Sequence, residues 1–252
     1  SVVATQFWKV CLPSSFVRVE NRRKRVLWVG DAVVSSGFAR ATHAICDRLA
    51  QDYDVAVLGL NYFGDPHSYP YVIYPCLNPL AQDADLFGVK RIAEVAMMHN
   101  ADVVIIQQDP WNFPDYIKEL RKAHINVPVI GFVAVDGKNC KGTDLNELEL
   151  AIFWTEFGAK EARLGGYTGP AAIVPLGVDL NVYKPMDKIA ARTIMELPKN
   201  LHNKFIVGNV NRNQPRKRLD LTIRYFAEWV RQHKVDDAYL FLHVAPTGDV
   251  GW

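Results

Sequence analysis

Gly208-Asn-Val-Asn-Arg-Asn-Gln-Pro-Arg-Lys-Arg218 stands between an apolar run, Phe205 to Val210, and an amphipathic run, Leu219 to His233. Strand, polar turn and helix in that order is the layout in which a parallel sheet presents a loop to a phosphate, because the following helix offers free N–H groups and a positive dipole end. Arg212, Arg216, Lys217 and Arg218 bring four cations to this one turn. The expectation is an anion site, with a nucleotide diphosphate as the ligand that fits. The competing reading is a solvated basic turn with no ligand.

Working outward, the same alternation repeats upstream. From Arg25 onward, short apolar runs alternate with longer helix-compatible segments, the pattern of βα units and a parallel sheet. The expected strands are Val26–Gly30, Val55–Leu60, Val103–Ile106, Pro128–Val133, Ile152–Thr155 and Ala171–Val174. The expected helices are Ala39–Leu49, Phe87–His99, Tyr116–His124, Leu145–Ala151 and Phe157–Leu164, the last ended by Gly165-Gly166. Asn61 to Pro70 reads as a loop rich in Gly, Pro and aromatics. Ala238–Ala245 is the expected second strand after the quoted loop.

Bulk properties bound the function classes. The chain has 252 residues, 49% of them hydrophobic, enough for a large core in one or two domains. Lys plus Arg is 29 against 27 for Asp plus Glu, a net charge of +2, so attraction to nucleic acid or membrane has to be local. Arg22-Arg-Lys-Arg25 is the other dense basic cluster. The four cysteines, Cys11, Cys46, Cys76 and Cys140, lie far apart without Cys-x-x-Cys spacing, which suits free thiols in a reducing compartment. No apolar run approaches the ~18 residues of a membrane span, and the first ~25 residues lack the order of a signal peptide. Cytoplasm is the expected location.

These readings divide the chain into an unassigned extension at 1–24, within which Phe16–Glu20 alternates like an edge strand, a Rossmann-like domain at 25–183, a linker at 184–204, and a first βαβ unit of a second domain at 205–252. A two-strand sheet leaves faces and edges uncovered. Further chain or self-association is therefore expected to cover it.

Four features in order resemble the retaining GT-B glycosyltransferases of glycosyltransferase family 4. Ser36-Gly37-Phe38 sits where that family has a Gly-rich acceptor-side loop. Thr155-Glu-Phe-Gly158 with Lys160-Glu161 is similar to a helix start late in its acceptor domain. Val174-Pro-Leu-Gly-Val-Asp179 with Tyr183-Lys-Pro185 is similar to the segment leading into its interdomain linker. Gly208-Asn-Val-Asn-Arg212 with Arg216-Lys217 resembles its donor-phosphate loop. The family's Glu-x7-Glu segment and its returning C-terminal helix do not occur in this sequence, so the resemblance implies a chain lacking the C-terminal part of the donor domain.

The fold so implied is α/β of GT-B type, and the activity is transfer of a sugar from a UDP- or GDP-sugar to an acceptor hydroxyl, with retention and without a metal. Arg212 and Lys217 are the expected cations on the departing diphosphate, with Arg216 as a further donor contact and Arg218 as a surface charge. Ser36 and Gly37 are expected near the donor phosphate through backbone N–H groups, against a plain tight turn. On the acceptor side the candidates are Asp136, Asp109, Trp111 and His43. Asp136 can orient or deprotonate a hydroxyl, or simply cap its loop in an Asx turn with Gly137. Trp111 can stack on a sugar or pack as an ordinary aromatic. His43 can serve the acceptor or the helix packing. Asp179 is expected to fix the linker turn. The sequence offers no nucleophile pair, and no His/Asp/Glu cluster has metal-ligand spacing.

The acceptor stays open between carbohydrate, lipid-linked, protein and nucleic-acid hydroxyls. An epimerase of the same architecture and a non-catalytic binding module are the other readings. Nucleic acid as a partner rests on Arg22–Arg25, and its competing reading is a solvated flank before a buried strand.

Overall fold

The computed structural model describes residues 22–77 and 85–245. The expected Phe16–Glu20 strand and Cys11 lie outside the described residues. The chain divides into two compact units, one running to Gly177 and the other starting at Val178.

The first unit is a seven-stranded sheet with every neighbour pair parallel. Its strands are β1 (Arg25–Asp31), β2 (Asp54–Leu60), β3 (Val72–Pro75), β4 (Val103–Gln108), β5 (Val129–Val133), β6 (Leu150–Phe153) and β7 (Ala171–Ile173), in spatial order β3-β2-β1-β4-β5-β6-β7. The helices are α1 (Gly37–Leu49), α2 (Ile92–His99), α3 (Phe113–Lys122) and α4 (Glu156–Leu164).

Period-two alternation along β1 and β4 sends successive side chains to opposite faces. Leu27, Val29, Val104 and Ile106 join one apolar layer with Ile92, Phe113, Tyr116 and Leu120. Val26, Trp28, Val103 and Ile105 join the other with Cys46 and Leu49 of α1. Both faces being covered explains why the central strands read as unbroken apolar runs. Helix α3 shows the matching helical spacing, burying Phe113, Tyr116, Ile117 and Leu120 on one side. Each such fully buried apolar side chain contributes roughly 1.5–3 kcal/mol.

Capping sets the helix starts. Ser36 is extended and its Oγ accepts from Ala39 N at 3.0 Å, and Thr155 Oγ1 accepts from Gly158 N at 3.0 Å. At the other end of α4, Gly165 and Gly142 pack backbone against backbone. A Cβ on Gly165 would lie 1.8 Å from the Cys140 carbonyl oxygen, and one on Gly142 1.9 Å from that of Ala162. Only glycine fits either place.

Two expectations are corrected here, and one strand was missed. The helix expected over Leu145–Ala151 is instead a 3-10 turn at Gly142–Leu145 followed by strand β6. Asn146 fixes that turn from the side, its Nδ2 donating to Gly166 O at 3.1 Å and its Oδ1 accepting from Thr168 N at 2.9 Å. Leu150–Phe153 is then free to pair with both β5 and β7, which outweighs the helical spacing of a short apolar run. Strand β3 was not expected, because a four-residue edge strand ending in Pro75 carries little pattern. Helix α2 begins at Ile92 and not at Phe87, since Gly88 has φ of 62° and breaks the helical run.

The second unit contains α5 (Lys188–Ile194), β8 (Phe205–Val210), α6 (Leu219–His233) and β9 (Ala238–His243). The 184–204 stretch, read as a linker, thus carries a helix. Asp187 caps α5 through Oδ1 to Ala190 N at 2.9 Å. Arg192 of α5 donates to the carbonyls of Leu201, His202 and Lys204 at 2.7–2.9 Å, tying the helix to the turn before β8. Strands β8 and β9 pair in parallel from Phe205↔Ala238 to Val210↔His243. Among the described residues of this unit, Leu219 is the one buried hydrophobic side chain. A two-strand sheet of this kind has little core of its own.

Candidate functional site

In the first unit the strand order reverses between β1 and β4, and in an open parallel sheet the crevice beyond the carboxyl ends at such a point is where ligands bind. β1, β4 and β5 are consecutive there, with strands roughly 4.8 Å apart. Asp31 ends β1, Asp109 follows β4, and Asp136 lies three residues past β5. The sheet therefore gathers at one edge three carboxylates that are far apart in sequence.

Around β1 the polar groups form one network. Ser36 Oγ donates to Asp31 Oδ2 at 2.7 Å while serving as the α1 cap, and Asn61 Nδ2 donates to Asp31 Oδ1 at 3.3 Å. Ser36 thus spends its hydroxyl on local structure. Gly37 opens α1, is exposed, and has open space where a Cβ would stand. Beneath them, Thr42 Oγ1 donates to Gln107 Oε1 at 2.8 Å, and Gln107 Nε2 donates to Phe38 O at 3.2 Å. These buried polar bonds seat α1 on β4.

His43 projects from the second turn of α1. Its Nε2 meets Ala32 O at 2.6 Å and its Nδ1 meets the Tyr71 hydroxyl at 2.5 Å. A carbonyl only accepts, so Nε2 carries the proton and Nδ1 accepts from Tyr71. The Tyr69 ring stacks on the imidazole with centroids 3.6 Å apart and planes at 9°. Burial lowers the pKa of His43 below its ordinary value, against opposing contributions from the Ala32 carbonyl and Asp47.

At β4, Asp109 N and Asn112 Nδ2 both donate to Gln108 Oε1, at 3.1 and 2.8 Å. Asp109 is partly buried, and burial first, then the neighbouring Asp136 charge, raise its pKa. Asp136 itself is exposed. Trp111, in the 3-10 turn Pro110–Asn112 that follows Asp109, is 65% exposed. Of the sequence candidates, Ser36, Gly37, His43, Asp109, Trp111 and Asp136 thus sit around the carboxyl-end loops of the first unit. Asp31, Asn61, Gln107 and Gln108 were missed. The signal available was a Gln-Gln pair closing a buried apolar run, where each amide needs a partner.

In the second unit the basic loop is held by its own amides. Asn211 Nδ2 donates to Asn209 Oδ1 at 2.6 Å, and Asn209 Nδ2 donates to Thr222 Oγ1 at 3.1 Å, fastening β8 to the first turn of α6. Pro215–Lys217 forms a 3-10 turn, and Arg218 has φ of 47° and provides no side-chain cap to α6. Its guanidinium instead forms a pair of bonds to Asp220, Nε to Oδ1 at 3.1 Å and Nη2 to Oδ2 at 2.8 Å. The Asp220 carboxylate raises the Arg218 pKa and is itself lowered by it. Arg212 and Arg216 are exposed and Lys217 is half-buried, and neither Arg216 nor Lys217 has an acidic partner among the described residues. Asp179 Oδ1 accepts from Asn181 N at 2.9 Å in a local turn.

In the other basic cluster, two cations have acidic partners from elsewhere in the first unit. Arg22 makes two bonds to Asp102 at 2.9 and 3.0 Å, and Arg25 Nε lies 3.6 Å from Asp54. Among the described residues no group of three His, Cys, Asp or Glu side chains is gathered for a metal ion. No helix among them is long and apolar enough to cross a membrane.

No protein-family model matches the chain, and no curated protein matches it. Solved structures do. An E. coli structure described as trehalose-6-phosphate bound with UDP-2-fluoro glucose is similar at 14% identity and a TM-score of 0.58, over 90% of this chain and 66% of that one. Anabaena HepE in complex with UDP and glucose is similar at 16% identity and 0.59, over 87% and 60%. The alpha,alpha-trehalose-phosphate synthase (UDP-forming) of Burkholderia vietnamiensis is similar at 15% and 0.56, over 90% and 64%. The chain thus spans 60–66% of the length of these proteins. At such identities the likeness shows the fold, an α/β architecture of GT-B type with a Rossmann-like N-terminal domain on a parallel sheet and the start of a second Rossmann-like domain.

Proposed function

We propose that this chain belongs to a glycosyltransferase that moves a sugar from a nucleotide-diphosphate sugar to an acceptor hydroxyl. The observation that carries this reading is the Asn211–Arg218 turn: among the described residues, Arg216 and Lys217 stand without acidic partners beside the side-chain-uncapped start of α6. Free helix N–H groups and fixed cations are what a leaving diphosphate needs as negative charge accumulates on it. The likeness in fold to proteins solved with UDP, or with a fluorinated UDP-glucose, makes a UDP-sugar the donor to try first.

On this reading Arg212 and Lys217 contact the diphosphate, with Arg216 beside them, and Asp136 orients or deprotonates the acceptor hydroxyl next to Asp109 and the exposed Trp111. We assign the chain to the retaining, metal-independent group that its motifs resemble, family 4, acting in the cytoplasm. Retention then follows from same-face attack assisted by the departing phosphate, an analogy with that group.

A native mass spectrum of the purified protein with a panel of UDP, GDP and their sugar conjugates tests the reading. Retention of one nucleotide sugar, lost on substitution of Lys217, supports it. Absence of any nucleotide adduct across the panel would overturn it in favour of a non-catalytic binding module.

A further inference from the structure

Two loops leave the carboxyl ends of β1 and β2, and one imidazole joins them. The first, residues 32–36, links β1 to α1 and carries the Ser36 bond to Asp31. The second, residues 61–71, links β2 to β3 and exposes Phe63 and Tyr69. At its start Asn61 bonds Asp31. At its end Tyr71 donates to His43 Nδ1, while His43 Nε2 holds Ala32 of the first loop. Tyr69 lies flat on the same ring.

We propose that His43 is a positioning residue that clamps both loops: through Ala32 it fixes the Asp31–Ser36 segment on the acceptor side of the site, and through Tyr71 it ties down the aromatic 61–71 loop. The functional half of this statement rests on the glycosyltransferase reading, whereas the clamp itself does not. Both ring nitrogens are engaged, so His43 acts through the loops and has no free nitrogen for substrate. The groups facing it are Asp47 of its own helix and His67, Tyr69 and Tyr71 of the second loop. The one-donor, one-acceptor arrangement requires a neutral ring, and burial lowers its pKa in that direction.

The test compares His43→Gln, His43→Leu and Tyr71→Phe. A glutamine amide can stand in for Nε2 and still donate to Ala32, leucine supports neither bond, and phenylalanine removes only the Tyr71 hydroxyl. Hydrogen exchange of segments 31–38 and 61–71 is followed together with UDP binding and with UDP release from UDP-glucose by hydrolysis, water taking the glucosyl group as glucose. His43→Leu is expected to speed exchange of 31–38 by about tenfold or more, and His43→Gln by less than about threefold. Tyr71→Phe should speed exchange in 61–71 and leave 31–38 unchanged. UDP release at saturating donor should fall about tenfold in His43→Leu with UDP affinity within about twofold, and be rescued in His43→Gln.

Equal effects of Gln and Leu, or unchanged exchange in the leucine variant, would overturn the clamp. Altered exchange with unaltered UDP release would reduce His43 to a structural residue. If the wild-type protein neither binds UDP nor releases it from UDP-glucose, the glycosyltransferase reading falls, and the exchange data still decide the clamp. Should His43→Leu fail to fold, Gln and Tyr71→Phe carry the comparison, and uniform exchange across both segments in those two variants would overturn it.

Discussion

Ser36 Oγ donates to Asp31 at 2.7 Å and accepts from Ala39 N at 3.0 Å, so one hydroxyl both caps α1 and holds the carboxylate that ends β1. The end of the strand and the start of the helix are thereby a single unit. This places a carboxylate beside the helix N-terminus in the first unit, whereas at the α6 start the one first-turn carboxylate, Asp220, is paired with Arg218 and leaves Arg216 and Lys217 as the adjacent charges. With Asp220 offset by Arg218, a phosphate is favoured at the second helix start over the first, where the Asp31 carboxylate already stands.

Ser36→Ala should destabilise the protein by about 1 kcal/mol, the usual loss for a helix cap. Urea denaturation with an unchanged slope and a lowered midpoint is the expected result. Ser36→Asp, although able to cap, should do no better, because a second carboxylate would then face Asp31.

Lys217→Ala and Arg212→Ala should each weaken UDP binding by about tenfold or more, through loss of a charge-assisted contact. Arg218→Ala should weaken it less, because that guanidinium is engaged by Asp220. Calorimetric titration with UDP at two salt concentrations checks the ranking. The wild-type affinity should fall with salt, since Arg212 and Arg216 are exposed.

Asp109→Asn should stabilise the protein near neutral pH. Burial and Asp136 raise the Asp109 pKa, so the folded state favours the protonated acid. The stability contributed by that preference is present below the unfolded-chain value of about 3.9 and is lost as pH rises through the raised folded value. The thermal-unfolding gain of the variant over wild type should therefore be largest above the folded value and vanish on acidification below the unfolded one. A gain independent of pH would disprove the burial argument.

Trp111→Ala should leave stability within about 0.5 kcal/mol, because the ring is 65% exposed and contributes little to the core. If Trp111 is a sugar platform, the acceptor KM should rise several-fold with donor affinity unchanged. Unaltered kinetics in a stable variant would remove Trp111 from the site.

Most of the sheet was legible because its strands are buried on both faces and so appear as uninterrupted apolar runs, as in Val26–Val29 and Val103–Ile106. The helices expected from Ala39 and Phe157 were legible as apolar stripes, while their caps at Ser36 and Thr155 emerged only in the structure. The errors lie where local pattern competes with pairing. Leu145–Ala151 has helical spacing, yet Asn146 pins a turn and the sheet takes Leu150–Phe153. Edge strand β3 is too short to signal itself.

The candidate site divides in the same way. The basic turn between β8 and α6 is contiguous in sequence, so its composition and its place before a helix could be read directly, and the chain's alternating apolar and amphipathic segments determined an α/β fold with parallel strands. The carboxyl edge of the first sheet is assembled from positions as distant as Asp31, Asn61, Asp109 and Asp136, and no spacing rule links them. The bonds of His43 to Ala32 and Tyr71, and of Thr42 to Gln107, likewise join residues brought together by chain crossings. Only the tertiary structure decided these, because strand order and loop path, not neighbouring sequence, determine which polar groups must find partners in the same buried space.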